Sequence, residues 1–90
     1  MKLVLCTKCQ DIVRLMSRGP RWCVCHRSGG QYYLDEIQAE YWGRWAIPLG
    51  INNHSLVDAI QDQPKFGLGT RFDAFVIPKE CPTFKKVKKP

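Results

Sequence analysis

Two short stretches hold the residues best suited to chemistry. Cys6-Thr7-Lys8-Cys9 spaces two thiols by two residues, and Cys23-Val24-Cys25-His26 spaces two by one, with a histidine beside them. The 13 residues between the pairs are enough for one hairpin. Four thiolates brought to one end of a hairpin suit zinc, which is tetrahedral, takes sulfur and is closed by four protein ligands in structural sites. A disulfide framework fits poorly. Five cysteines is an odd number, and Met1-Lys2 leads into only three apolar residues, too few for a secretory signal. The expected compartment is therefore a reducing cytosol, where lasting disulfides are rare. A redox pair would need a helix start in a thioredoxin-like frame, and no βαβ unit is legible. Cys81 stands apart and reads as a partly buried thiol. His54 reads as a loop or cap histidine rather than a ligand or base.

Residues 5–26 resemble a zinc ribbon: a two-cysteine knuckle, two strands, and a second two-cysteine knuckle. The resemblance implies Cys6, Cys9, Cys23 and Cys25 as ligands of Zn2+. It covers about a quarter of the chain. Ribbons commonly space the second pair by two residues and follow it with glycine, whereas this chain has a one-residue gap and then His26. Two ligand sets stay open: all four cysteines, or three with His26 replacing one of the second pair. The four-cysteine set is closer to the ribbon pattern. Zinc ribbons often contact DNA or RNA, so the resemblance also implies a nucleic-acid partner.

The elements that must position these residues follow from local signals. Residues 10–16 form an apolar-rich run, predicted as a strand. Ser17-Arg18-Gly19-Pro20 supplies a turn, and residues 21–25 return as a second strand, completing a hairpin. Ser28-Gly29-Gly30 is a second turn, and residues 31–34 a third strand. Residues 35–45 give one helical turn at most, then an extended piece toward Pro48. Asn53 or Ser55 caps a helix whose apolar face is Leu56, Val57, Ala59 and Ile60, and which ends before Pro64. Residues 71–77 read as a buried strand, apolar on both faces and stopped by Pro78. The predicted class is α+β: a small single domain over residues 1–80, with an N-terminal zinc-ribbon hairpin, one short helix and a later strand. Residues 81–90 are predicted as a basic tail.

A chain of 90 residues buries a modest core and often needs a staple. Its formal charge of +6 is uneven. Residues 1–30 carry six basic groups against Asp11; residues 31–78 carry three against six acids; residues 79–90 carry five lysines against Glu80. Four thiolates and a dication sum to −2, which lowers the total to +4. A basic head and tail around an acidic middle point to an anionic partner.

Arg14, Arg18, Arg21 and Arg27 on the hairpin, and Lys85, Lys86, Lys88 and Lys89 in the tail, are the candidate contacts to that partner, with nucleic acid expected first. Trp22, Tyr32 and Tyr33 could stack on bases, although Trp22 fits a core position better. Tyr41, Trp42, Arg44 and Trp45 form a possible protein interface, or the core itself, with one of the two tryptophans inside. The glycines of "HRSGG" and "FGLGTR" could form anion nests for a nucleotide, or ordinary turns. In overall character the chain is similar to small accessory proteins of bacteriophages. That likeness implies an inhibitor of a host defence, acting on a protein or a nucleotide signal.

Catalysis is not expected. Cys25 and His26 are strand neighbours that point to opposite faces, and "INNHSL" lacks the further histidines of a His-Asn-His nuclease. No run is long enough to span a membrane.

Overall fold

The first knuckle already reverses the chain. In the computed structural model, which describes residues 1–89, β1 (Lys2–Cys6) runs into Cys6–Cys9 and returns as β2 (Ile12–Arg14). Their register pairs Leu5 with Ile12, Val4 with Val13 and Leu3 with Arg14. The second knuckle does the same, turning β3 (Arg21–Trp22) into β4 (Gly29–Tyr32). The predicted hairpin between residues 10–16 and 21–25 is therefore corrected. Each of its strands pairs across its own knuckle, and the turn at residues 17–20 carries the chain from one sheet to another.

The α+β class holds. One four-stranded sheet has the order β2-β1-β6-β7, the other β3-β4-β5-β8. β5 (Ala39–Trp42), β6 (Ala46–Ile51), helix α1 (Asn53–Gln61), β7 (Ala74–Val76) and β8 (Phe84–Lys86) complete the chain order. All neighbours are antiparallel except β5 and β8. The run "KLVLC" explains β1's place at the centre. Val4 and Cys6 alternate inward and are buried, while Leu3 and Leu5 face outward, half-buried.

Side chains from both sheets share the main core: Val4, Leu15, Ala39, Tyr41, Ala46, Ile77 and Phe84. Tyr41 and Phe84 meet edge to face at 5.0 Å. Residues 84–86, expected in a basic tail, pair with β5 instead, and Phe84 is fully buried. Gly29 and Gly30 lie in β4 with ordinary strand pairing rather than in a turn. A Cβ on Gly30 would press the Leu15 side chain at 3.1 Å, and one on Gly29 the Trp42 ring. Close packing, not turn formation, is what these glycines permit.

Helix α1 is capped one residue before the first expected cap, Asn53, which is instead its first helical residue. Asn52 caps it through its side chain, which accepts from Ser55 N at 3.2 Å. Ser55 Oγ donates to Asn52 O and accepts from Asp73 N, both at 2.8 Å, tying the helix start to the approach of β7. Only Ala59 of the helix is buried. The predicted buried strand at residues 71–77 shortens to β7, an exposed edge strand, with Ile77 alone inside. Val76, beside Leu49 on the outer face, stays largely open, while Phe75 points to the opposite face, where its ring lies over Gly50 at the sheet edge and is about half exposed. Among the described residues, no helix is long and apolar enough to cross a membrane.

Candidate metal centre

Both knuckles reach their geometry by one backbone device. The residue after the second cysteine takes a left-handed conformation, Gln10 at φ 62° and His26 at φ 59°. Its N–H then returns to the carbonyl of the first cysteine: Gln10 N to Cys6 O at 2.7 Å, and His26 N to Cys23 O at 3.0 Å. A glycine would adopt that conformation without strain. The hydrogen bonds that close each loop, with Cys6 N to Asp11 O and Cys23 N to Ser28 O at 2.9 Å, hold the non-glycine residues there. Asp11 also links the two knuckles, its carboxylate accepting from Val24 N at 2.9 Å.

The result is a four-sulfur cluster. The Sγ atoms of Cys6, Cys9, Cys23 and Cys25 all lie within 4.8 Å of one another. Cys25 Sγ is 3.5 Å from Cys23 Sγ and 3.7 Å from Cys6 Sγ. A tetrahedron with metal–sulfur bonds of about 2.3 Å has edges of about 3.8 Å, so the spacing matches a single ion among four thiolates. Cys6 and Cys23 are buried, Cys9 and Cys25 half-buried. With Val13, and with Trp45 against them, they form a second small core beside the main one.

The surroundings favour thiolates. Ser28 N donates to Cys23 Sγ at 3.3 Å. Burial alone would push the Cys6 thiol up, but the Ser28 hydroxyl, the N–H groups of Cys9 and Lys8 and the Cys23 thiol outweigh it and bring it down to about 6. Cys9 is lowered chiefly by the N–H of Cys25. Cys25 goes the other way, up to about 12, first through burial and then because its proton is shared with Cys23, Cys9 and Cys6. Ser28 Oγ itself is buried with no partner in full hydrogen-bonding geometry. An oriented O–H beside a sulfur is a donor suited to a metal-bound thiolate. Donors around the cluster are what metal-bound thiolates would need, and the metal would take the place of the remaining thiol protons. These residues fit a tetrahedral, sulfur-liganded metal ion.

His26 is not part of the cluster. Its exposed ring stacks on Trp22 at 5.9 Å and 14°, and Trp22 in turn packs on Trp42 at 5.3 Å. Trp42 is the tryptophan placed fully inside; Trp22 and Trp45 are half-buried. Tyr41 is also buried, so of the possible protein interface only Arg44 is exposed, with Trp45 partly so. Arg44 and Lys8 both lie over the Trp45 ring, at 5.1 and 5.5 Å. Arg14, Arg18, Arg21, Arg27, Lys85, Lys86, Lys88 and Lys89 are all exposed. His54 is exposed on α1, and Cys81 Sγ lies 3.5 Å from Thr83 Oγ1, both outside the sulfur cluster.

Sequence reasoning missed Asp11, Ser28 and Gly43. Gly43 has φ 114°, and a Cβ there would collide with the Arg27 carbonyl and with Ser28. It lets the chain cross from β5 to β6 against the second knuckle. The one available signal was a glycine inside an aromatic run; nothing local marks Asp11 or Ser28. No family model, curated protein or solved structure matches the chain. The candidate four-cysteine metal site therefore rests on its own geometry, and the likeness to zinc ribbons on the knuckles alone.

Proposed function

We infer that the chain is a non-enzymatic zinc-binding module that engages nucleic acid through its exposed basic residues. The carrying observation is the four-sulfur cluster: it joins two hairpins from different sheets and has no protein ligand position to spare. A closed site of this kind serves folding rather than catalysis. Zinc is the ion that best suits tetrahedral thiolate donors without redox chemistry. Around this staple the eight basic side chains at positions 14, 18, 21, 27, 85, 86, 88 and 89 all face solvent, as phosphate contacts require.

The test is fluorescence anisotropy of zinc-loaded protein with a labelled single strand across a salt series. Affinity should fall linearly on log–log axes. Replacing Lys85, Lys86, Lys88 and Lys89 by Gln should make the slope shallower by up to about 2.8, at about 0.7 per lost single-strand phosphate contact. Binding that ignores salt, or no binding at all, overturns the nucleic-acid reading. Metal analysis of the folded protein tests zinc separately.

A protein partner is the second reading, as for a phage-type inhibitor. The exposed apolar face of the first sheet favours it, not the buried Tyr41 and Trp42. The cross-strand row Arg14–Leu3–Leu49–Val76 carries one cation and three aliphatics, and Ile12 on the same face is half open. A complex built there would tolerate salt and be lost on Val76→Lys.

A further inference from the structure

Where the turn at residues 17–20 leaves the first sheet, a groove of about 570 Å³ opens beside the start of α1. Its lining is not that of the metal centre. Arg14 at the end of β2 and Arg18 in the turn itself line it, with Met1, Ser17, Tyr32, Asn53 and Glu36. The hydrogen bonds within the protein decide which atoms remain for a ligand. Tyr32 Oη accepts from Lys2 N at 2.8 Å, which leaves the hydroxyl proton to donate. Asn53 Oδ1 accepts from Met1 N at 3.2 Å, which leaves its amide N–H groups. Ser17 Oγ donates to Glu36 Oε1 at 3.2 Å, so Glu36 keeps a carboxylate oxygen able to accept. Two arginines, two neutral donors and Met1, whose ammonium donates to Ile51 O and Asn53 Oδ1, thus line the groove with a single carboxylate, and Leu15 and Met16 add apolar lining.

This mixture discriminates among anions. Guanidinium forks match phosphate oxygens bidentately. A lone carboxylate in the same groove opposes any phosphate, and that cost is offset only for a ligand that also carries hydroxyl or base N–H groups to donate to it. The volume falls within the range of small-molecule sites, about 300–1,000 Å³.

We propose that the groove between Arg14, Arg18 and Glu36 binds a phosphorylated nucleoside, its phosphate on the two arginines and its hydroxyl or base N–H groups on Glu36. The groove's role rests on the anionic-partner reading but requires neither the lysines nor a long strand. The ligand is either a free nucleotide or the terminal nucleotide of a strand, since both present the same groups.

The test is an amide NMR titration of the zinc-loaded full chain. The probes are the four 5′-mononucleotides, adenosine, inorganic phosphate, and a 12-mer oligonucleotide with and without a 5′-phosphate. Saturable shifts at Ser17, Tyr32 and Asn53 are expected with a mononucleotide, or with the phosphorylated 12-mer alone if the source is a strand end. Adenosine and inorganic phosphate should be at least tenfold weaker. Arg14→Gln and Arg18→Gln, both at exposed positions, should each weaken binding at least tenfold while shifts elsewhere stay in place. Glu36→Gln should narrow the gap between nucleotide and inorganic phosphate.

The groove is ruled out if no mononucleotide or 5′-phosphorylated strand produces shifts there at millimolar concentration, or if the arginine variants bind unchanged. Oligonucleotide binding lost with the four lysine substitutions but indifferent to Arg14→Gln and Arg18→Gln would remove the groove and leave the nucleic-acid reading standing. Mononucleotide binding with no affinity for strands would do the reverse.

Discussion

Cys6 and Cys25 sit at opposite ends of the thiol range within one cluster, near 6 and near 12. The difference has a measurable consequence when the metal enters, because each ligand must arrive as thiolate. At pH 7.5 Cys6 has already lost its proton, so binding should release fewer than four protons per ion. As pH falls through 6, Cys6 becomes protonated, release should rise toward four, and affinity should drop. Stability supplied by a bound metal should thus be present at neutral pH and lost in acid. Calorimetry in two buffers of different ionisation enthalpy, at pH 7.5 and pH 5, gives the proton count; four at both pH values would contradict this assignment. At the same scale, Cys→Ser at position 6, 9, 23 or 25 should lower metal affinity by more than the roughly 10–100-fold typical of losing a neighbouring support. His26→Ala should change it less than tenfold, because the ring is stacked on Trp22 and away from the sulfurs. Competition with a chromophoric chelator measures both. The ligand types were legible because thiol spacing is local. The choice against His26 was not, because it depends on a left-handed backbone at that residue.

Strand β8 shows how an element can be misread from composition. Residues 81–90 carry four lysines within six positions, 84–89, and read as a solvated tail. Phe84 nevertheless inserts beside Tyr41 and is fully buried, in parallel pairing with β5. Phe84→Ala should therefore cost about 3–5 kcal/mol of stability, read by urea unfolding of metal-loaded protein. A cost below about 0.5 kcal/mol, typical of a surface position, would return the segment to a tail. Helix α1 was legible because its apolar face and its proline stop are local signals, although its cap is Asn52, one residue before the first expected. The strand pairs were not. Residues 10–16 and 21–25 each look like halves of one hairpin, and only the knuckles, acting as turns in their own right, send them to different sheets.

At the scale of the whole molecule, the main core gathers seven buried residues and the sulfur cluster adds a second, smaller one. A structural zinc site contributes on the order of 10–16 kcal/mol, against about 5–15 kcal/mol for the total stability of a typical domain. Chelation at neutral pH should thus abolish the cooperative thermal transition or lower its midpoint by tens of degrees, with recovery on adding Zn2+. Circular dichroism with and without chelator checks this, and an unchanged transition would mean that the metal does not hold the fold. The sequence by itself determined the donor atoms, their pairing into two knuckles, the basic surplus and the single helix, since each depends on neighbours along the chain. Only the tertiary structure decided which strands pair, that Trp42 and Phe84 go inside while Phe75 stays out, and that Arg14, Arg18 and Glu36 share one groove. Those outcomes depend on contacts between residues far apart in sequence, whose geometry exists only once both sheets have formed around the sulfur cluster.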